Sequence, residues 1–231
     1  MALRSILDPG VDIDKQTERG MGILDELTSA TGDKQSNKEL VKRCLVTPPL
    51  LHSIAEGLRT GGPKAKVDCA QILTDVGQRR PDLIGEFVAD FLDATRSKSP
   101  KVAKLAYTGL EQVVGANPAE VYGERDYLFQ VAREGGKLAL SAAGVLGTLC
   151  GNNPNYRGKL LGNLVRLLNT IPDAELAKWV KAIAPAVEGS ADGLKRLTDT
   201  VNPRRATLPE AEQKKLDKLL LKLERSTAKK K

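Results

Sequence analysis

Aromatic side chains are scarce: one Trp, four Tyr and three Phe make up 3% of the chain. Leu, Ala and Val carry the apolar content instead. That mix favours closely packed helices over a β-sandwich or barrel, whose strands draw on aromatic and β-branched residues. Histidine is scarcer still, with His52 the only one. A zinc site built from His and Cys needs ligands at set spacings, and neither CxxC nor HExxH occurs. A Ser-His-Asp or Cys-His arrangement would have to use His52, with nothing in the sequence to support it. Paired carboxylates such as Asp90 and Asp93, or Glu124 and Asp126, read as polar helix faces. The chain is therefore expected not to be an enzyme, with no catalytic residue, no cofactor and no metal ligand.

Cysteine is rare too. Cys44, Cys69 and Cys150 are odd in number, far apart and set beside apolar residues at helical spacing. They read as small buried hydrophobes in a reduced, intracellular protein, cytoplasmic or nuclear. No apolar run approaches the ~18 residues of a membrane span. The start, Met1 to Pro9, has no long apolar stretch after its basic residue and does not read as a secretory signal.

What is abundant is ordinary soluble composition, 41% hydrophobic and 28% charged, with a net charge of +7. The location of that charge matters more than its size. Residues 1–48 sum to −1, 49–154 to zero, 155–201 to +2 and 202–231 to +6. The basic character is thus mostly C-terminal, and a basic groove along the whole chain is not implied.

Internal similarity is the strongest signal. Lys64–Pro81, Lys101–Pro118 and Lys137–Pro154 each begin with Lys, carry an apolar helical pattern and close with a polar stop and Pro. Ala174–Ala191 fits as a degenerate fourth copy. Val102, Leu105, Ala106, Leu110 and Val113 follow helical spacing, as do Ala139, Ala142, Ala143, Leu146, Leu149 and Cys150. Other stripes lie between these segments: Ile84, Phe87, Val88, Phe91 and Leu92, then Leu160, Leu161, Leu164, Val165, Leu168 and Ile171. Ser99-Pro100, Asn117-Pro118 and Asn153-Pro154 place a capping side chain before a proline, the grammar of a helix start. Asn117 and Glu120 have capping-box spacing. Gly61-Gly62, Gly115, Gly135-Gly136 and Gly151 stand where helices should stop. Gly57 to Lys64 has the look of a phosphate loop, but Pro63 replaces the required Lys and no strand precedes it.

One helical hairpin cannot bury its own apolar stripe, whereas stacked hairpins build a continuous core. The period, the two helices per unit and the small residues of the second helix resemble the HEAT/armadillo class. That resemblance implies an all-α, right-handed α–α superhelix with a solenoid surface for binding a partner. Its expected Asp in the hairpin turn is missing here, and Lys66 and Lys104 come nearest to its basic position. The DNA-glycosylase branch of HEAT-like proteins sets aromatics around a catalytic Asp in a basic groove. Eight aromatics and an uncharged middle do not match it.

Residues 1–48 are expected to cap the array, with helices near Gly22–Thr31 and Asn37–Leu45. Repeats are expected at about 49–81, 82–118, 119–154 and 155–191 within a solenoid spanning 49–201. Residues 202–231 read as a basic amphipathic helix followed by a disordered lysine tail. Thr207-Leu-Pro-Glu210 has the spacing of a capping box, and Leu216, Leu219, Leu220 and Leu223 share one face.

Lysines recur near the starts of the second helices: Lys64, Lys66, Lys101, Lys104 and Lys137. Together with Tyr107 and with Lys218, Lys222 and Arg225 of the tail helix, they are the candidate contacts. The expected function is a non-catalytic scaffold that binds a protein or acidic peptide. The alternative is a nucleic-acid-binding module using the lysine ladder and the basic tail.

Overall fold

A computed structural model of the chain describes residues 22–229. Part of the expected N-terminal cap and the last two tail lysines lie outside the described residues. Among those described there is no strand, and the helices are α1 (Ser36–Val46), α2 (Leu50–Thr60), α3 (Pro63–Arg79), α4 (Val88–Thr95), α5 (Pro100–Val113) and α6 (Pro118–Gly123). There follow α7 (Arg125–Glu134), α8 (Ala139–Asn152), α9 (Pro154–Leu167), α10 (Asp173–Val187), α11 (Ala191–Arg205) and α12 (Glu210–Ala228). Two short helical turns, residues 22–25 and Thr28–Thr31, precede α1.

The helices form two layers. In one, α3 packs on α5, α5 on α8, α8 on α10 and α10 on α12, a ladder of five. In the other, α2, α4, α7, α9 and α11 each cover a ladder helix. The apolar stripes of both layers meet between them. Ile72, Leu73, Phe91, Ala106, Leu110, Leu128, Leu146, Leu149, Val180 and Ile183 are all fully buried there. α1 lies on α3 and closes the first unit.

The capping side chains do what their spacing predicts. Ser99 Oγ accepts from Val102 N at 3.5 Å, and Asn117 Oδ1 from Glu120 N at 3.3 Å. Asn153 Oδ1 accepts from Asn155 N at 2.9 Å and Tyr156 N at 3.4 Å. Proline follows each cap at the first helical position, where its missing N–H removes no helical bond. Gly135 and Gly136 take φ of 76° and 80°, a left-handed backbone that glycine alone enters without steric cost.

Three details depart from expectation. Asn117 opens the short α6 rather than a long helix, so the unit ending at Asn152 holds three helices, not two. Gly151 does not end α8 but lies inside it, where a Cβ would come within 2.8 Å of the Pro185 carbonyl oxygen on α10. The Thr207 capping box does not form. α12 starts after Pro209 with no side-chain cap, and Thr207 Oγ1 donates to the Arg204 carbonyl at 2.8 Å instead.

All three cysteines are free and buried. Burial pushes the thiols up, Cys44 to about 11 and Cys69 and Cys150 to about 12. Thiolate is the reactive form. Native protein at pH 8 should therefore leave all three unmodified by Ellman's reagent over an hour, whereas protein in guanidinium should release three equivalents. Fast reaction of the native form would contradict this packing.

Candidate partner-binding groove

The helices of the ladder turn one face to solvent. On α3 that face carries Lys64, Asp68, Gln71 and Asp75, and on α5 it carries Lys101, Lys104, Thr108 and Glu111. On α8 it is small and neutral, with Ser141 and Thr148 half-buried. The carboxylates present are already engaged. Asp68 accepts from the Ser29 backbone at 2.7 Å and from Asn37 Nδ2 at 2.9 Å, and Asp75 from Gln71 Nε2 at 2.7 Å. Glu111 leans across the seam between α5 and α8 and accepts from Thr148 Oγ1 at 3.4 Å. Surrounding protein raises its carboxyl above the usual range, and the threonine hydroxyl opposes part of that rise.

The expected lysine row is interrupted. Lys64, Lys101 and Lys104 are exposed on α3 and α5. Lys66 instead turns back, donating to the Arg59 carbonyl at 2.7 Å. Lys137 stands in the turn before α8, and α8 itself contributes no cation. Tyr107 is a correction. It is 1% exposed, and its hydroxyl lies 3.5 Å from that of Tyr127, so its ring belongs to the core and offers a partner nothing.

Lys218, Lys222 and Arg225 are brought together. They line a hollow of about 870 Å³ between α10 and α12, shared with Lys178, Lys181, Lys215 and Lys229. No carboxylate lines it. Its remaining lining is Ala177, Leu219, Leu221 and Ser226. Leu221 is 47% exposed, unusual for a leucine among the described residues. The four groove cations of α12 and Lys229 just past its end recur every three or four residues and so form one stripe. Lys178 and Lys181, a turn apart on α10, face them. Only Lys215 of the seven is within ion-pair distance of a described carboxylate, Glu212 at 2.6 Å.

The groove is held by its neighbours. Arg204 of α11 ion-pairs with Asp173 at the start of α10 and donates to the carbonyls of Leu168 and Ile171, both at 2.6 Å. These bonds clamp the turn from which α10 springs. Arg205 pairs with Asp217 at 2.6 Å and anchors α12 on α11.

A second polar hollow, near the turn between α4 and α5, contains Arg59, Lys66, Asp90, Asp93 and Arg96. Arg59 donates to Asp90 at 2.9 Å and to Glu56 at 2.7 Å. Asp90 is only 9% exposed, and burial raises its carboxyl above the usual range although Arg59 opposes the shift. A carboxyl raised by folding binds its proton more tightly in the native state. Its contribution to stability therefore falls as pH rises through the native pKa. Arg59→Gln should raise the Asp90 titration further and cost about 1 kcal/mol at pH 7, because half-exposed Arg59 is screened by solvent. Carboxyl NMR titration and urea unfolding measure both, and an unmoved Asp90 titration would contradict the pairing.

No family model matches the sequence, and no curated protein matches it. Solved structures do. A designed armadillo repeat protein in complex with peptide (KR)4 superposes with a TM-score of 0.61 at 13% identity, over 93% of this chain and 95% of that one. A second designed armadillo repeat protein gives 0.60 at 14% identity, over 94% and 96%. The fold is an armadillo-like α-solenoid. A structure described as an engineered protein gives 0.60 at 16% identity, over 94% of each chain. Among the described residues of the solenoid, no group of three or more His, Cys, Asp or Glu side chains could hold a metal ion, and no helix is long and apolar enough to cross a membrane.

Proposed function

We propose that the chain is a non-catalytic scaffold that binds an acidic protein or peptide segment on the exposed face of the ladder. The observation that carries this reading is the distribution of unpaired charge. The cations of α10 and α12 are mostly without carboxylate partners, whereas on α3 and α5 Asp68, Asp75 and Glu111 offset Lys64, Lys101 and Lys104. A designed protein of the same fold was solved with (KR)4, a peptide built from lysine and arginine. The α10–α12 end of the ladder carries the charge that would repel such a basic peptide, and so calls for an acidic ligand. Such a row steers encounter and selects against basic competitors more than it adds raw affinity.

A random-peptide display selection against the full chain tests this. Acidic sequences should be enriched, and their binding should weaken as salt rises. Enrichment of basic sequences, or of none, would overturn the reading.

A further inference from the structure

We infer that the hollow between α10 and α12 is a docking groove for an extended acidic peptide in which carboxylates alternate with aliphatic side chains. This deepens the scaffold reading and rests on it, but it commits to one place and one ligand chemistry.

The charge is concentrated beyond what solubility requires. Lys178, Lys181, Lys218, Lys222, Arg225 and Lys229 have no described carboxylate within ion-pair distance, and all line the same recess. Like charges three or four residues apart on one helix repel, a standing cost of a few tenths of a kcal/mol per pair. An anionic ligand would relieve that repulsion, so the site is poised for one. The position of the charges on α12 does not explain them. Only Arg225 and Lys229 sit near its C-terminus, where cations complement the helix dipole, and Lys215 and Lys218 do not.

The apolar lining separates a peptide from other polyanions. Leu219, Leu221 and Ala177 stand among the cations. A phosphate backbone leaves these groups unused, and nucleic-acid grooves add aromatic platforms for the bases. None of the lining residues is aromatic. An extended peptide instead directs successive side chains to opposite sides, so in a recess between two helices carboxylates can meet Lys178 and Lys181 of α10 while aliphatic groups cover Leu219 and Leu221 of α12. At 1.5 Å per residue, the 19 residues of α12 run about 28 Å. A peptide of about eight extended residues spans that length.

Fluorescence anisotropy on the full chain tests this with a labelled peptide of about eight residues alternating Glu and Leu. The groove variant Lys218→Glu/Lys222→Glu/Arg225→Glu should bind at least tenfold more weakly, and so should Lys178→Gln/Lys181→Gln. Leu221→Ser should lose about threefold. Lys34→Glu/Lys38→Glu/Lys98→Glu carries the same change of charge elsewhere and should bind within twofold of the parent. Circular dichroism and Tm confirm folding, and the Gln versions of the groove triple replace any variant that fails to fold.

The proposal is overturned if groove variants bind like the parent. It is also overturned if an alternating Glu/Ser peptide binds as tightly as the Glu/Leu one, or if oligothymidylate or phosphatidylserine vesicles bind the groove more tightly than the peptide. If display selection yields acidic peptides that ignore the groove variants, the scaffold reading stands and the groove assignment falls.

Discussion

Phe91→Ala should lower the stability of the chain by about 3–5 kcal/mol, the usual range for emptying a buried phenyl site. Phe91 is fully buried and lies in the seam between α4 and α5. It is seated on Gly109, where a Cβ would fall 2.2 Å from its ring. That approach draws the two helices of the unit together. The cavity could close only if α4 moved bodily, and α2 and α6 hold it on either side. In a stacked array each unit depends on its neighbours. The loss should therefore spread, appearing in hydrogen exchange as faster opening of α4 and α5 and then of α3. Urea unfolding gives the total, and a loss below about 1 kcal/mol would show that the seam is not packed as described.

A paired glycine experiment should give opposite signs for the same chemical change. At Gly147 of α8, an added Cβ would meet the Ala182 carbonyl oxygen at 2.8 Å and the Ile183 Cα at 3.0 Å. These are backbone atoms of α10 and cannot rotate away. Gly147→Ala should force α8 and α10 apart and cost about 1–3 kcal/mol, despite the better helix propensity of alanine. Gly158 of α9 has nothing within 4 Å of its Cβ position. Gly158→Ala should stabilise by roughly 0.5–1 kcal/mol through propensity alone. Equal effects at the two sites, read from urea midpoints, would mean that the close contact between α8 and α10 is not real.

Much of the fold is written in local signals. Asn117, Asn153 and Ser99 each precede a proline, and a cap acts within its own turn, so the sequence locates those starts directly. The apolar stripes at Val102–Val113 and Ala139–Cys150 show which face of α5 and α8 is buried. The rest depends on long-range contact. Thr207 is the exception, a local competition: its hydroxyl bonds back to the Arg204 carbonyl three residues earlier instead of capping α12. Gly151 reads as a stop, yet its value is the approach of Pro185 from a different helix. Tyr107 reads equally as a surface aromatic or a core one until Tyr127 is placed beside it.

The candidate site divides in the same way. Lys218, Lys222 and Arg225 share a stripe because helical spacing puts them there. Lys178 and Lys181 join them only because α12 folds back onto α10, about 40 residues along the chain. The one available clue is that both sets of spacings are helical, with Glu224 the sole acidic residue interleaved in either. Lys66 and Lys137 fail as members of a ladder for local reasons, one bonded to a carbonyl and the other outside its helix.

Hydrogen–deuterium exchange of the full chain, with and without the alternating Glu/Leu peptide, tests the central claim most directly. Slowed exchange confined to α10 and α12 is the predicted result. Slowing on the covering helices α2, α4, α7 and α9, with α10 and α12 unchanged, would contradict it.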